Sequence, residues 1–515
     1  MKKLALFFLI CTLGLAPLNV LGYALPLSDG SAMLSFACED NSYPATSYAD
    51  GLLIENEIEK RTGVKIDWQV APASEYEGIM QIRLASGSNL PDIVQIPDGK
   101  NSLYKFAQDG LIIPLNDLIE QHAPNIQKYF AEHPDIKAML TAPDGNIYSV
   151  GNIAQSVNEV VPETIIVRMD WLEKLGLDIP KTAEDFRQVL HAFVYDDPNG
   201  NGLQDEVGLA TYRKEYLGML KTAFGFDNYD DFNLNADGKV QFDPIDPRFK
   251  EYLAYMNSLY SEGLITTQIE QTFTELDTLT ANQQLGMYLF VVDYVATSDN
   301  LASSDPNVNF GMILPPSKPD GSLGTIKKRS PIWGYIGITK DCQDPELAIK
   351  WIDYCWASKE GFDLKYYGIQ GETYDIDENG NYYFLERITK HPTLTPHQAI
   401  LEIGGHPSWL LMDTREVFET KYKDTKVLDI ALSLADGMMD PMPDLLPTVE
   451  ENARYQALWP DIQTYVNEMK LKFIMGTESL DHFDKYVDIV KSLGIEEILA
   501  IKQAQYDRYL KALEK

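Results

Sequence analysis

Cysteine is scarce in this chain, with four residues in 515. Cys11 falls in an apolar run at the start, which leaves Cys38, Cys342 and Cys355. A disulfide-rich scaffold is therefore excluded. Three buried thiols are expected, with a single disulfide of unassigned pairing as the alternative. The seven histidines show no metal-ligand spacing. HExxH, GxSxG and phosphate-loop patterns are absent, which removes three familiar classes of enzyme. Positive charge is also short: 43 Lys and Arg stand against 77 Asp and Glu, a formal net charge of −34. The basic residues form no stripe, so nucleic acid and anionic membrane surfaces are excluded as partners. Past the first two dozen residues no apolar run is long enough to cross a bilayer. Internal repeats and low-complexity tracts are lacking.

The start of the chain has the form of a secretory leader over 1–24. Lys2 and Lys3 precede the apolar Leu4–Leu15 run, and Gly22-Tyr23-Ala24 supplies small residues for cleavage after Ala24. Pro17 interrupts the run, which favours a cleaved leader over a membrane anchor. Cys11 follows Ile10 and not a small residue, so no lipid-attachment signal is expected there.

One segment specifies a chemistry by its spacing. In Asp196–Gly208, DDPNGNGLQDEVG, oxygen-bearing side chains fall at Asp197, Asn199, Asn201 and Asp205. Gly202 stands where an EF-hand loop turns sharply, and Leu203 where a backbone carbonyl suffices. Alternate residues of such a loop deliver the six to eight oxygens that Ca²⁺ takes at roughly 2.3–2.6 Å. The usual closing Glu is replaced by Gly208, so Glu206 is expected to close the site. The competing reading is an ordinary Asn/Gly turn. A helix leads into the loop: Thr182 with Asp185 makes a capping box, and Phe186, Val189, Leu190 and Phe193 form its apolar stripe. The ion's expected role is structural.

The length predicts at least two domains. A short strand at Met33–Ala37, a helix over Leu52–Arg61 stopped at Gly63, an alternating strand through Val64, Ile66, Trp68 and Val70, a helix over Ile79–Ala85 and a strand at Ile93–Val94 follow one another. This alternation implies a largely parallel sheet with helices on its faces. Leu285–Val292 is expected as a buried strand, Ile332–Ile338 as another, and Pro345–Trp356 as a helix with Pro at its first position. The remainder to Lys515 is expected to be mostly helical. Crossings between lobes are placed near 145–155, 315–320 and 365.

Several short stretches resemble the extracellular solute-binding proteins of ABC importers, of the larger oligosaccharide-binding type similar to alginate-binding proteins. They are Thr62-Gly63-Val64, Ala85-Ser86-Gly87 before Leu90–Val94, and Asp144–Tyr148. Arg168–Gly176, Asp197–Gly202, Tyr367-Gly368-Ile369 with Gly371-Glu372, and Lys472-Phe473-Ile474 with Gly476 complete the series. The resemblance implies an α/β fold of two lobes, the type II periplasmic-binding-protein-like arrangement, with a hinge, an interlobe cleft and a helical C-terminal region. Residues 25–150 and 318–365 would form the N-terminal lobe, and 151–317 with 366–515 the C-terminal lobe. It also implies a non-enzymatic, monomeric periplasmic protein that holds an oligosaccharide in the cleft, delivers it to permease subunits and carries a structural Ca²⁺. A secreted glycoside hydrolase is the alternative, since 77 acidic residues make carboxylate pairs inevitable. A calcium-dependent adhesion module would leave the β/α order unexplained. Neutral or mixed oligosaccharides are expected over acidic ones. A sugar cleft needs aromatic platforms beside polar groups. Trp409 after Gly404–Pro407, Tyr294 after Leu285–Val292, Tyr148 and Trp333 are the expected platforms. Asp40, Asn41 and Asp92, taken at the carboxyl ends of strands one and three, are the expected polar contacts.

Overall fold

The computed structural model describes residues 23–514 other than 44, 155–160, 236, 270, 293, 395, 408, 411–413 and 424. The leader expected over 1–24, with Lys2, Lys3 and Cys11, lies outside the described residues except for Tyr23 and Ala24.

Strands β1 (Ala32–Glu39), β2 (Val64–Ala71), β3 (Ile93–Gln95) and β4 (Val150–Ile153) come first. They are followed by β5 (Glu163–Arg168), β6 (Val207–Thr211), a β7–β8 hairpin (Phe232–Leu234, Val240–Phe242), β9 (Leu285–Val291) and β10 (Phe310–Ile313). Then come β11 (Ile326–Lys327), β12 (Ile332–Ile338), a β13–β14 hairpin (Tyr374–Ile376, Tyr382–Phe384) and β15 (Met438–Met439). The first sheet has the order β2-β1-β3-β12-β4, and only β12 runs against the rest. The second has the order β10-β5-β9-β6, with β5 reversed.

Local chemistry explains the punctuation. The Leu53–Thr62 helix ends at Gly63 with φ of 70°, and a Cβ there would meet the Ser28 carbonyl at 2.0 Å, so glycine is required twice over. The Ala183–Tyr195 helix carries the expected capping box of Thr182 and Asp185. Asp344 caps the Pro345–Ala357 helix, with Pro345 in its first turn.

Two hydrophobic cores result. The first gathers residues from Leu34 to Ile153 and from Ile332 to Leu364, and also Ile388, Ala399, Ile400, Ile403, Trp409, Leu410 and Leu446. The second is built on β5, β6 and β9 and completed by C-terminal helices through Ile462, Phe473, Tyr486 and Ile498. A flanking cluster on the same sheet includes Phe310, Phe418 and Val427. Beyond Leu364 the clusters alternate: Tyr366, Tyr367, Tyr374 and Val417 form a small one of their own, Phe418 and Val427 join the second sheet's cluster, and Leu446 packs on the first core. Residues 366–515 are mostly helical, as expected, interrupted by the β13–β14 hairpin and β15. Asn379-Gly380 turns the β13–β14 hairpin, with Gly380 at φ of 85°. Cys38, Cys342 and Cys355 are buried free thiols, as expected. No helix among the described residues is long and apolar enough to cross a membrane.

Candidate ligand cleft and cation loop

Topology connects one end of the first sheet to one end of the second. β4 ends at Ile153 and β5 starts at Glu163, while β10 ends at Ile313 and β12 starts at Ile332. Both passages therefore join the same edge of the first sheet, where β1, β3 and β4 end and β12 begins, to the edge of the second where β6, β9 and β10 end and β5 begins. Ligands of open α/β sheets sit at the carboxyl ends of strands. The two passages are tied to each other where the Ala154 amide donates to the Pro331 carbonyl at 2.8 Å, and the second is tied to the later segment around β15, since β11 pairs with β15 and the Lys328 amide donates to the Met439 carbonyl at 2.7 Å.

The edge of the second sheet carries an aromatic wall. Tyr212, one residue past β6, stacks on Phe273 with centroids 4.5 Å apart and planes at 28°. Phe290 meets both edge-on, at 4.8 Å from Tyr212 and 5.3 Å from Phe273. Tyr294 packs at 4.9 Å from Phe290 and donates its hydroxyl to Asp277 Oδ1 at 2.5 Å. Burial and that carboxylate push the Tyr294 phenol up, so it stays a neutral donor. Phe273 is 44% exposed. The exposed Arg213 places its guanidinium 5.1 Å from the Tyr212 ring. Glu163 accepts from Tyr229 Oη at 3.0 Å and pairs with Arg329 at 3.0 Å.

On the first sheet's edge Trp333 is 49% exposed, at the bulge where the β12–β4 register shifts between Ile332 and Gly334. Glu39 closes β1, and its carboxyl is held above its usual range by burial. Asp40 follows, accepting from the amides of Asn41 and Tyr48 at 2.8 and 3.0 Å.

Tyr294, Trp333 and Asp40 thus lie along the connected edges, and four other expected contacts do not. Trp409 is fully buried, its ring 5.0 Å from Trp68 and stacked at 5.8 Å on Trp351, so its indole belongs to the first core. Asn41 is buried and braces two loops, donating to Thr46 Oγ1 at 2.9 Å and the Leu401 carbonyl at 2.7 Å. Asp92 precedes β3, so it sits at the far end from the cleft, where Oδ2 accepts from the Ser35 amide at 2.7 Å. Tyr148 precedes β4 at that same far end, buried and bonded to Asp144 Oδ2 at 2.7 Å. Tyr212, Arg213 and Phe273 were not anticipated. Their signal is positional: Tyr212-Arg213 directly follows the short Leu209-Ala210-Thr211 strand segment, the place where ligands of open α/β sheets sit.

The Asp197–Glu206 loop is strongly turned, with Asp197 at φ of 47° and Gly200 and Gly202 both at 76°. Asp197 Oδ2 accepts from the Gly202 amide at 3.1 Å, Asn199 Oδ1 from the Asn201 amide at 2.9 Å, and Asn201 Oδ1 from the Leu203 amide at 2.7 Å. Among the described residues no three acidic, histidine or cysteine side chains are grouped to hold a metal. Two oxygens of the loop, Asp197 Oδ1 and Glu206 Oε1, are nonetheless buried without a partner. Leaving two carboxylate oxygens so is costly unless a cation meets them. Burial, with Asp205 and Asp197 nearby, holds the Glu206 carboxyl above its usual range. Asn199 and Asn201 turn amide nitrogens toward Asp205 Oδ1, at 3.4 and 3.1 Å, so a cation would require both side chains to reorient. Lys174 donates to the Pro198 carbonyl at 2.6 Å and Gln284 to Asp205 Oδ2 at 2.9 Å, which fastens the loop to the second core.

Residues 44–360 match the family model for bacterial extracellular solute-binding proteins. The chain is 29% identical over 486 residues to the fructooligosaccharide ABC transporter substrate-binding protein FusA of Streptococcus pneumoniae serotype 4, covering 89% of this chain and 87% of the relative. It is 26% identical over 468 residues to the polygalacturonan/rhamnogalacturonan-binding protein YtcQ of Bacillus subtilis, covering 87% and 88%. Among solved structures, alginate-binding protein AlgQ2 without calcium ion superposes with a TM-score of 0.74 at 25% identity, covering 93% of this chain and 99% of that one. FusA of S. pneumoniae in complex with kestose gives 0.73 at 26% identity with the same coverage, and an EF-hand mutant of FusA is also similar. With the two-sheet α/β fold and its connected strand edges, these matches establish that the chain belongs to the bacterial extracellular solute-binding protein family.

Proposed function

We propose that this chain is the extracytoplasmic receptor of an ABC importer: a monomer that closes its two cores, as lobes, on an oligosaccharide and presents it to permease subunits without chemical change. The observation that carries this reading is the aromatic wall of Tyr212, Phe273 and Tyr294 on one sheet edge, connected to the edge that holds Trp333. A sugar ring has an apolar C–H face and a polar rim, and such a wall offers stacking surface beside the Arg213 guanidinium and the Asp40 and Glu39 carboxylates. Arg329 on this edge is already paired with Glu163 at 3.0 Å, and the chain's net charge of −34 disfavours a polyanion, which favours a neutral oligosaccharide over a polyuronide. The relatives are named for fructooligosaccharide and for polygalacturonan/rhamnogalacturonan, and all of these are sugar chains.

Calorimetry with kestose, nystose and oligogalacturonides tests this. A neutral oligomer should bind, no product should appear on prolonged incubation, and Tyr212→Ala and Phe273→Ala should each weaken binding by about 1–2 kcal/mol, as loss of a buried aromatic contact does. Wild-type affinity in both variants would remove the sugar from this edge, and turnover would favour the hydrolase reading.

The turn at 197–206 is the proposed Ca²⁺ site. Asp197, Asn199, Asn201, Asp205, Glu206 and the Leu203 carbonyl would hold the ion, whose charge would offset the buried carboxylates. A ligand that binds only the native state at a hundred times its Kd adds about 2.7 kcal/mol of stability. Stripping metal with a chelator should therefore lower the melting temperature by several degrees, and Asp205→Ala should remove that sensitivity while sugar binding persists. An unchanged melting temperature, with no calcium in elemental analysis, would leave the segment an ordinary turn.

A further inference from the structure

A leader cut after Ala24 would carry Tyr23 away, yet Tyr23 is built into the first core. Its phenol donates to Asp353 Oδ2 at 2.8 Å, and its ring packs on that core, as do Leu25 and Leu27. Asp353 is fully buried in the Pro345–Ala357 helix. It also accepts from the Asn125 side-chain amide, 2.6 Å from Oδ2, and from the Ile126 backbone amide, 2.8 Å from Oδ1. All three donors are neutral, so among the described residues the carboxyl is held by hydrogen bonds and not by an ion pair. Burial pushes it up to about 6. Burial and the neighbouring carboxylate push the Tyr23 phenol up as well, so it stays a neutral donor. A buried carboxylate held in this way is costly to leave with one donor fewer.

The attachment continues along the chain. The Leu27 and Ser28 amides donate to the Thr62 carbonyl at 2.7 and 3.2 Å, so residues 23–28 run as a strap from Asp353 to the end of the Leu53–Thr62 helix. The first residues of a domain stay ordered where they are tied down. The sequence offers two cuts with compact residues at the third-last and last positions of the leader. Gly22 and Ala24 take those places for a cut after Ala24, and Val20 and Gly22 for a cut after Gly22. The first discards the phenol and leaves Asp353 short of a donor. The second keeps it.

We propose that the processing site lies after Gly22, so that the exported protein starts at Tyr23 and uses its phenol as a structural anchor on Asp353. This does not rest on the sugar reading. The test is expression of the full chain in a Gram-negative host, with intact mass and N-terminal sequencing of the periplasmic product, which should open Tyr23-Ala24-Leu25-Pro26. In a second arm the chain is produced behind a removable fusion, starting either at Tyr23 or at Leu25. The Leu25 start should melt several degrees lower. Tyr23→Phe, which keeps the ring and loses the hydroxyl, should melt between the two. With Asp353→Asn in both, the gap between the two starts should shrink, because a neutral amide loses less when the phenol goes. A product that opens at Leu25 or at any residue other than Tyr23 overturns the proposal. So does a Leu25 start that melts with the Tyr23 start, or a gap that Asp353→Asn leaves unchanged.

Discussion

Trp409→Ala is expected to lower the unfolding free energy by about 3–5 kcal/mol, the cost of truncating a large buried ring. The indole is fully buried, and four other rings surround it: Trp68 at 5.0 Å, Trp351 at 5.8 Å, Phe36 at 6.0 Å and Tyr48 at 6.2 Å. Those rings come from β1, β2, the Tyr48–Asp50 turn and the Pro345–Ala357 helix, so none can move into the void without disturbing a second element. The indole also pins the segment after Ile403 to the first core, where the Ile54 amide donates to the Ile403 carbonyl at 3.0 Å and the His406 amide to the Lys365 carbonyl at 2.8 Å. Guanidinium unfolding measures the loss, and ligand affinity per folded molecule should hold. A loss under about 1 kcal/mol would mean that the segment detaches at little cost.

Glu55→Gln should stabilise the protein increasingly as pH rises. Glu55 stands in the first turn of the Leu53–Thr62 helix, and neither of its buried carboxylate oxygens has a hydrogen-bond partner. Gly404 lies against it so closely that a Cβ there would come within 2.1 Å of Oε2. Burial pushes the carboxyl from 4.5 up to about 8. Below about pH 4.5 both states are protonated and the group's contribution is fully present. Above that the unfolded chain releases its proton while the native state keeps it, so stability is lost progressively until pH passes about 8. At 1.36 kcal/mol per pH unit the whole window is worth on the order of 5 kcal/mol. The substituted side chain would hold a neutral amide of the same shape throughout. Denaturant unfolding of both proteins at pH 5 and pH 8, with calcium saturating, should show the variant's advantage growing by several kcal/mol. Parallel pH profiles would mean that water or a neighbouring group stabilises the native carboxylate.

Elements built from local signals were legible in the sequence. The Leu53–Thr62 helix with its Gly63 stop, the Thr182–Asp185 box and the Pro345 helix start all depend on residues within one turn of each other. The β13–β14 hairpin was equally local, with Asn379-Gly380 between Tyr-rich runs. It was lost because a long Leu- and Tyr-rich stretch suggests helix. The reversed direction of β12 was not legible, because its neighbours β3 and β4 lie far back in the chain. Trp409 failed for the same reason: a Gly/Pro-rich approach hides the fact that its partners Phe36 and Trp68 lie more than three hundred residues earlier. Tyr294 and Trp333 fell on the connected edges because each flanks a strand recognisable by itself. Tyr212 and Arg213 were not legible, because β6 starts at Val207 directly after the turn-rich 197–206 segment and is too short to stand out as a strand.

The short ladder between β11 and β15 has a mechanical consequence. It joins by backbone hydrogen bonds two passages that sequence separates by about a hundred residues, so neither can bend alone. In the proposed closure of the two cores these passages would move together, as one axle. A single pair of dyes, one on each core, would follow that excursion.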